Sequence, residues 1–279
     1  MKKNLKGKIF PFFWKYLYVL KGASFLLTLG LLSGKTRAKI GDIAEYFGWK
    51  NPTKSYPTIL PTFDSKEIFS SGVSMEIYDP LGRDGNVSLL ELLVINTLVR
   101  KISAKAIFEI GTFDGRTALN MAGNTGSDAK VYTLDLPNNE METAKRNPLG
   151  DGKFVGKTTV GFKYRGTAVE KKIVELKGDS AIFDYSPYEK SMNFVFIDGA
   201  HSYEYVVSDT ENALAMLKES GIIIWHDYRA SCEGVTRALN EHYASGGVFK
   251  NLRWISGTNL VALLPDGFLK NQNSSQNLP

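Results

Sequence analysis

Four side chains that could do acid–base or metal chemistry fall in two short segments of the chain. Asp198 and His201 follow one apolar run, and His226 and Asp227 follow a second. Two carboxylates and an imidazole could ligate a divalent cation such as Mg²⁺ or Mn²⁺, and the predicted ligands are Asp198, His226 and Asp227. Without a metal, His201 or His226 could act as a general base, because the pKa of an imidazole lies near neutral pH. The sequence leaves both alternatives open.

A glycine turn earlier in the chain could hold a polar ligand. Glu109, Gly111 and Gly115 follow an apolar run and precede a helical segment, so free backbone N–H groups are expected at the start of the helix. The spacing E-x-G-x-x-x-G differs from G-x-G-x-x-G, which disfavours a hydride-transfer enzyme. Asp135 lies twenty residues after Gly115 at the end of the next apolar run, where an acid can accept hydrogen bonds from both ribose hydroxyls.

Short apolar runs that alternate with helical segments must position these residues. Such runs predict a parallel sheet covered on both faces, and two final runs separated by Ser-Gly-Thr-Asn predict an antiparallel hairpin. The fold class is therefore α/β, with a doubly wound, mostly parallel seven-stranded sheet, a C-terminal antiparallel hairpin and an N-terminal helical extension. Ligands bind beyond the carboxyl ends of such strands, so the candidate side chains should meet there. The predicted strands are 106–110, 130–136, 172–176, 192–197, 221–225, 253–255 and 260–264, and the main predicted helices are 87–102, 116–123 and 203–219.

Five ordered motifs between about Ala106 and Leu264 resemble the class I S-adenosylmethionine-dependent methyltransferases. Within that class the motifs are similar to those of a bacterial branch that methylates hydroxyls of sugars and small natural products. The resemblance implies a Rossmann-like fold and O-methylation of a sugar, glycan precursor or small hydroxylated metabolite. Alternatives are an N-methyltransferase, an enzyme with a lipid-linked acceptor, or a non-catalytic protein that binds the cofactor. The motifs are 108–122, 131–137, 178–180, 196–205 and 224–228.

The resemblance also implies which residues bind the cofactor. Asp135 would hold the ribose, and Asp179 and Ser180 would flank the adenine. Asp198 would lie near the transferred methyl group. The residues expected at the methionine half are Glu109, Gly111, Thr112, Phe113 and Gly115.

Catalysis by this class needs little from the protein's own nucleophiles, because the cofactor carries the reactive methyl group. Proximity, alignment and a deprotonated acceptor are sufficient. Asp198, His201 and His226 are the predicted catalytic residues. Metal-dependent relatives have acids at the strand ends, whereas this chain has His226 at a position where an acid is usual.

The long connection between Asp135 and Lys172 is expected to form a lid over the active site. Tyr164 and Arg165 would contact a sugar or a phosphorylated acceptor from this lid. Tyr203 and Tyr228, which lie in two of the motifs that carry the resemblance, are further candidates for contact with the acceptor.

The net charge of +5 arises from a basic leader. Residues 1–41 hold nine Lys or Arg and no acid, and the rest of the chain has 25 basic and 29 acidic residues, which disfavours a nucleic-acid partner. The leader is also apolar and aromatic over 9–33. Three interpretations are open: insertion into an anionic membrane surface, packing on the body or on a second subunit of a homo-oligomer, and a membrane span.

Composition and the positions of proline and glycine divide the chain into four segments. Residues 1–41 form the leader, 42–85 an irregular covering segment, 86–265 the methyltransferase domain and 266–279 a flexible tail. The single cysteine, Cys232, cannot form an internal disulfide and is typical of a reducing compartment. We therefore expect a cytoplasmic protein, located either in solution or on the inner face of a membrane.

Overall fold

The computed structural model describes residues 6–33, 56–69, 72–83, 85–137, 160–265 and 268. The chain divides into two compact units, Met1–Ser55 and Tyr56–Pro279. Most of the predicted lid (138–159) and the tail, except Phe268, lie outside the described residues.

Helix α1, Lys6–Leu27, is the main element of the first unit, and a 3-10 turn, Leu29–Leu32, follows it. It agrees with the predicted helical extension. Several of its large apolar side chains are exposed, including Trp14, Tyr18 and Phe25. Among the described residues, no helix combines the length and the hydropathy that a bilayer crossing requires.

One eight-stranded sheet forms the centre of the second unit. Five adjacent strands, in the order β6-β5-β2-β3-β4, are parallel. Strand β8 pairs antiparallel with both β6 and β7, which is the predicted C-terminal hairpin. The strands are β1 Thr62–Phe63, β2 Ala106–Ile110, β3 Lys130–Asp135, β4 Ile173–Lys177, β5 Met192–Ile197, β6 Leu217–Trp225, β7 Leu252–Ile255 and β8 Val261–Leu263.

The prediction of seven strands is wrong by one. Strand β1 arises from the segment expected to be irregular, and it pairs parallel with β7 at the sheet edge through Thr62–Trp254 and Phe63–Ile255. Two residues are too few to show an alternating pattern, so the pairing is decided by the neighbouring strand.

Helices cover both faces of the sheet, as the doubly wound pattern predicts. Helices α3 and α4 pack on one face, and α5 and α6 pack on the other, because successive strand residues point to opposite faces. Helix α5 ends at Met216, earlier than predicted, since Leu217 already pairs with Met192 in the sheet. The helices are α2 Ser65–Phe69, α3 Leu89–Lys101, α4 Arg116–Gly123, α5 Tyr203–Met216 and α6 Glu233–Ser245.

The covering segment is bound to α4 by three buried polar side chains. Arg116 is 1% exposed, and its guanidinium donates hydrogen bonds to three backbone carbonyls of residues 79–87, at 2.7–3.3 Å. Asn120 and Asn124, one and two turns further along α4, pair with backbone groups of residues 76–78. These bonds fix the covering segment beside the glycine turn.

Candidate active site

The glycine turn connects β2 to α4, and at one position, Gly111, only glycine fits the backbone path. Gly111 has φ of 102°, and a Cβ there would lie 2.1 Å from the carbonyl oxygen of Asp198. Gly115 has φ of 84° and immediately precedes α4. The turn therefore lies directly against the end of β5, where the second group of candidate residues begins.

Asp135, at the end of β3, binds the glycine turn. Its Oδ2 accepts a hydrogen bond from the backbone N–H of Phe113 at 2.8 Å, and its Oδ1 accepts one from Leu136 at 2.8 Å. Burial raises the pKa of this carboxyl, although the backbone N–H groups act against the rise. Each oxygen keeps a second lone pair, so the carboxylate can still accept hydrogen bonds from ligand hydroxyls.

Glu109 is a buried carboxyl group with unused hydrogen-bonding capacity. It is 0% exposed; its Oε2 accepts the hydroxyl of Thr133, while Oε1 has no hydrogen-bond partner among the described residues. Burial raises its pKa well above the usual range, and the charges of Asp198, Asp135 and Asp114 add to the rise. A cationic ligand group would offset both the burial of the Glu109 carboxylate and its repulsion by the neighbouring acids. This cluster of acids therefore fits the ammonium and sulfonium of the predicted cofactor.

Asp179 and Ser180 follow β4 at the same edge of the sheet. Oδ1 of Asp179 accepts a hydrogen bond from the N–H of Ala181 at 3.0 Å, which fixes the turn. Its Oδ2 accepts the hydroxyl of Tyr205 from α5 at 3.0 Å. The Asp179 carboxylate is therefore held by two separate elements.

The second group of candidates assembles where the sequence predicts it. Asp198 follows β5, His226 and Asp227 follow β6, and His201 precedes α5. A small pocket lies between these ends, lined in part by Asp198, His201 and His226. One ligating atom each from Asp198, His201 and Asp227 lies within 4.8 Å of the others.

His226 is enclosed by carboxylates on both ring nitrogens. Nδ1 lies 2.9 Å from Oδ1 of Asp198, and Nε2 lies 3.4 Å from Oε2 of Glu91. Burial alone would lower the pKa of His226, but the charge and hydrogen bond of Asp198, with Glu91 and Asp227, raise it well above the usual range. An imidazolium whose two N–H groups both face carboxylates has no lone pair to offer, so this geometry does not favour the predicted roles of His226 as general base and as metal ligand.

His201 is the histidine that remains accessible. Its side chain is 26% exposed, and Nε2 lies 2.8 Å from Oδ2 of Asp227. Burial alone would raise the pKa of Asp227, but the hydrogen bond of His201 and the charges of His226 and Arg229 lower it below the usual range. An ionised carboxylate beside an imidazole orients the ring and stabilises its protonated form, which is the arrangement of a general base and its partner.

Glu91 is a site residue that sequence reasoning missed. It lies in the first turn of α3, where it forms a capping box with Ser88, and its Oε1 accepts a hydrogen bond from the N–H of Asn259 at 2.7 Å. Burial alone would raise the pKa of Glu91, but the bonds to His226 and to the backbone lower it to about 2. The pattern Ser88-x-x-Glu91 could have indicated the start of the helix, but not the contact with His226.

Tyr164 and Arg165 hold the connection between β3 and β4 in place and are not arranged as groups that bind a ligand. The Tyr164 ring is 3% exposed and lies so close to Gly115 that a Cβ there would be 2.6 Å away. Its hydroxyl donates to Glu175 at 2.9 Å, and Arg165 forms an ion pair with the same carboxylate at 3.0 Å. These contacts do not support the predicted role of either residue in binding the acceptor.

Tyr203 and Tyr228 are also engaged in structural contacts. The Tyr203 hydroxyl donates to Glu241 of α6 at 2.5 Å, and Arg237 stacks over its ring at 4.2 Å. Tyr228 is 0% exposed, and its hydroxyl donates to Asn240 and accepts from two backbone N–H groups of residues 59–60. Neither side chain is free to contact an acceptor in this geometry.

Comparison with known proteins assigns this part of the chain to a class. Residues 108–228 match the family described as a methyltransferase domain. The match begins in β2 and includes the glycine turn, Asp135 and the strand-end residues Asp198 and Asp227. This region is a class I methyltransferase domain, the kind of enzyme that uses S-adenosylmethionine, and the predicted enzyme class is confirmed. Glu91 and α3 lie outside the matched region.

Individual proteins resemble the chain more distantly. The tRNA N(3)-methylcytidine methyltransferase trm140 of Schizosaccharomyces pombe is 25% identical over 136 residues, which cover 48% of this chain and 40% of that protein. The match thus spans less than half the length of this curated relative.

Solved structures of O-methyltransferases are similar at low identity. One is TomG from Streptomyces achromogenes, at 16% identity over 72% of this chain and 96% of that chain, with a TM-score of 0.49. Another is an enzyme from Bacillus cereus, at 17% identity over 65% of this chain and 84% of that chain, with a TM-score of 0.46. TM-scores this low support no argument about function, which is therefore argued from the site.

Proposed function

We propose that the protein is an O-methyltransferase that transfers a methyl group from S-adenosylmethionine to a hydroxyl of a sugar, glycan precursor or other small metabolite. The observation that carries the proposal is the pair His201 and Asp227, 2.8 Å apart, at the end of the parallel strands. His201 lines the same small pocket as Asp198, whose backbone adjoins Gly111 of the glycine turn. A base beside a cofactor site is what methylation of a hydroxyl requires.

The cofactor, when bound, supplies an electrophilic methyl group on a sulfonium centre. We propose that the glycine turn, from Gly111 to Gly115, holds its methionine half, and that Glu109 neutralises the ammonium. Asp135 holds the ribose, and Asp179 with Ser180 flanks the adenine. The unpaired Oε1 of Glu109 and the spare lone pairs of Asp135 support this assignment.

His201 acts in this proposal as the general base. It accepts the proton of the acceptor hydroxyl, and Asp227 holds the ring and stabilises its positive charge. Asp198 and His226, 2.9 Å apart, hold each other in place in the same pocket. His201 then releases the proton to solvent, because its side chain is partly exposed.

The alternative is a metal-assisted reaction. Two carboxylates and an imidazole form a donor set that suits Mg²⁺ or Mn²⁺, and the residues that would hold the ion are Asp198, His201 and Asp227. This set replaces the predicted ligand His226 by His201. A bound ion would lower the pKa of the acceptor hydroxyl, and His201 would then be a ligand instead of the base.

Calorimetric titration of the full-length protein with S-adenosylmethionine tests the proposal. We expect binding with a Kd in the micromolar range; absence of binding would overturn all the methyltransferase assignments. The acceptor is identified by mass spectrometry of extracts incubated with the protein and a cofactor bearing a labelled methyl group. Label on nitrogen, on a lipid or on RNA would replace the small hydroxylated acceptor.

We propose that the basic leader brings the enzyme to an anionic membrane surface on the cytoplasmic side. The basic, acid-free composition of residues 1–41 and the exposed aromatic side chains of α1, including Trp14 and Tyr18, support this placement. The single cysteine, Cys232, supports a reducing compartment.

A further inference from the structure

We infer that Tyr205 is a positioning residue that orients Asp179 toward the exocyclic amine of the adenine, and so makes the cofactor site selective for an amine-bearing base. The inference rests on the proposed function, since it takes Asp179 to lie at the adenine. It gives a role to a residue of α5 that lies at the end of the 196–205 motif but is not among the predicted site residues.

The geometry around Asp179 carries the inference. The hydroxyl of Tyr205 donates to Oδ2 at 3.0 Å, and the N–H of Ala181 donates to Oδ1 at 3.0 Å. One bond comes from the loop after β4 and the other from α5, so the carboxylate cannot rotate without losing a hydrogen bond. Each oxygen still has a second lone pair for a ligand donor.

The charge and surface near Asp179 fit a purine with an amino group. In the part of the chain that the structure describes, no Lys, Arg or His forms an ion pair with Asp179, so the acid is available to a neutral N–H donor. Ile182, three residues further along the chain, is 81% exposed and offers apolar surface in the same loop. A carbonyl oxygen in place of the amine would face a carboxylate and would be repelled.

Tyr203 provides a matched control on the same helix. Its hydroxyl also donates to a carboxylate, but the acceptor is Glu241 of α6, which does not lie at the strand ends. Replacing either tyrosine by phenylalanine removes one hydroxyl and keeps the ring. A difference between the two variants therefore reports the contact with Asp179 and not the loss of a hydroxyl from α5.

The experiment is calorimetric binding of two ligands to the full-length protein. One ligand is S-adenosylhomocysteine, and the other is S-inosylhomocysteine, which has a carbonyl in place of the amine. The wild type is expected to bind the adenosine compound at least about tenfold more tightly. Tyr205→Phe is expected to lose about tenfold in affinity for the adenosine compound and less than about twofold for the inosine compound. Tyr203→Phe should leave both affinities unchanged.

The outcomes separate the inference from the proposed function. If the wild type binds and Tyr205→Phe loses equal affinity for both ligands, or for neither, the positioning role is overturned while the proposed function stands. If the wild type binds neither ligand, the proposed function fails and the inference fails with it. Thermal unfolding of both variants shows whether they are folded, and a selective loss in a folded variant supports the inference.

Discussion

Oε2 of Glu91 lies 3.4 Å from Nε2 of His226, and this contact joins a helix outside the matched methyltransferase domain to the end of β6. With Asp198 2.9 Å from the other ring nitrogen, it gives His226 a carboxylate on each side. The contact therefore distinguishes His226, which has a carboxylate at each ring nitrogen, from His201, whose Nε2 faces Asp227. In the proposed reaction, His226 is a buried cation between these acids, and His201 is the base.

Replacing Glu91 by Gln should weaken the fold in a pH-dependent way. The pKa of Glu91 is lowered to about 2 in the folded state, so its stabilisation is present above the unfolded pKa and is lost as pH falls through the folded value. We expect Glu91→Gln to lower the free energy of unfolding by about 3 kcal/mol at pH 7 and by about half as much at pH 3. Urea denaturation at both pH values measures it.

An exposed glutamate supplies the control for this variant. Glu204 lies in the first turn of α5 and is exposed, so Glu204→Gln should change the free energy of unfolding by less than about 0.5 kcal/mol at either pH. Equal losses in the two variants would contradict the buried contact between Glu91 and His226.

Replacing His201 by Ala should remove catalysis and spare the cofactor site. A general base contributes about 10²–10⁴-fold to the rate, so we expect a loss of at least about 100-fold in kcat. The affinity for S-adenosylmethionine should change by less than about threefold, because His201 is not among the residues proposed to bind it. Labelled methyl transfer and calorimetry measure the two quantities, and His242→Ala, on α6, is the control. Retained turnover in His201→Ala would assign the base elsewhere.

Removal of divalent cations should leave turnover unchanged. The proposed reaction uses His201 as base, and the imidazolium of His226 already stands beside Asp198 and Asp227. Its positive charge opposes a cation at the same carboxylates. The measurement is methyl transfer with and without EDTA, followed by metal analysis of the protein. Loss of turnover that Mg²⁺ or Mn²⁺ restores would establish the metal-assisted alternative, with Asp198, His201 and Asp227 as ligands.

Replacing Asp209 by Asn should stabilise the protein relative to the wild type as pH rises. Asp209 is 0% exposed on α5, and burial, with the charge of Asp179, raises its pKa to about 7. A raised acid pKa means that the folded state holds its proton longer, so wild-type stability falls between the unfolded and folded pKa values. The free energy of unfolding of Asp209→Asn, measured against the wild type, should rise by about 3 kcal/mol between pH 4.5 and 8.

The control for Asp209 is an exposed aspartate. Asp184 is exposed, and Asp184→Asn should show no such rise with pH relative to the wild type. A flat difference between Asp209→Asn and the wild type would mean that Asp209 is already ionised or solvated in the folded protein.

Deleting the leader should abolish binding to anionic vesicles. The full-length protein should float with vesicles that contain phosphatidylserine and remain behind with neutral vesicles, because the charge of residues 1–41 is basic throughout. A Δ1–40 protein should not float with either. Equal behaviour of the two proteins would reject the membrane surface, and a change in sedimentation on deletion would indicate that the leader joins two copies.

Local patterns in the chain were sufficient to predict the fold class and to place the candidate side chains along the sheet. Apolar runs and helical spacing are local patterns, and the carboxyl ends of parallel strands meet by topology. Asp135, Asp198 and Asp227 could therefore be assigned to one edge of the sheet. The path of the glycine turn was likewise predictable from the conformations that only glycine adopts.

The tertiary structure alone decided which of these side chains are available. Glu91 and His226 are 135 positions apart, and no local pattern links a helix cap to a strand end. Tyr164 and Tyr228 read as polar aromatic residues near the site, yet both are buried and bonded within the fold. Burial and side-chain pairing depend on contacts between distant segments, and these contacts are the reason that we propose His201, and not His226, as the base.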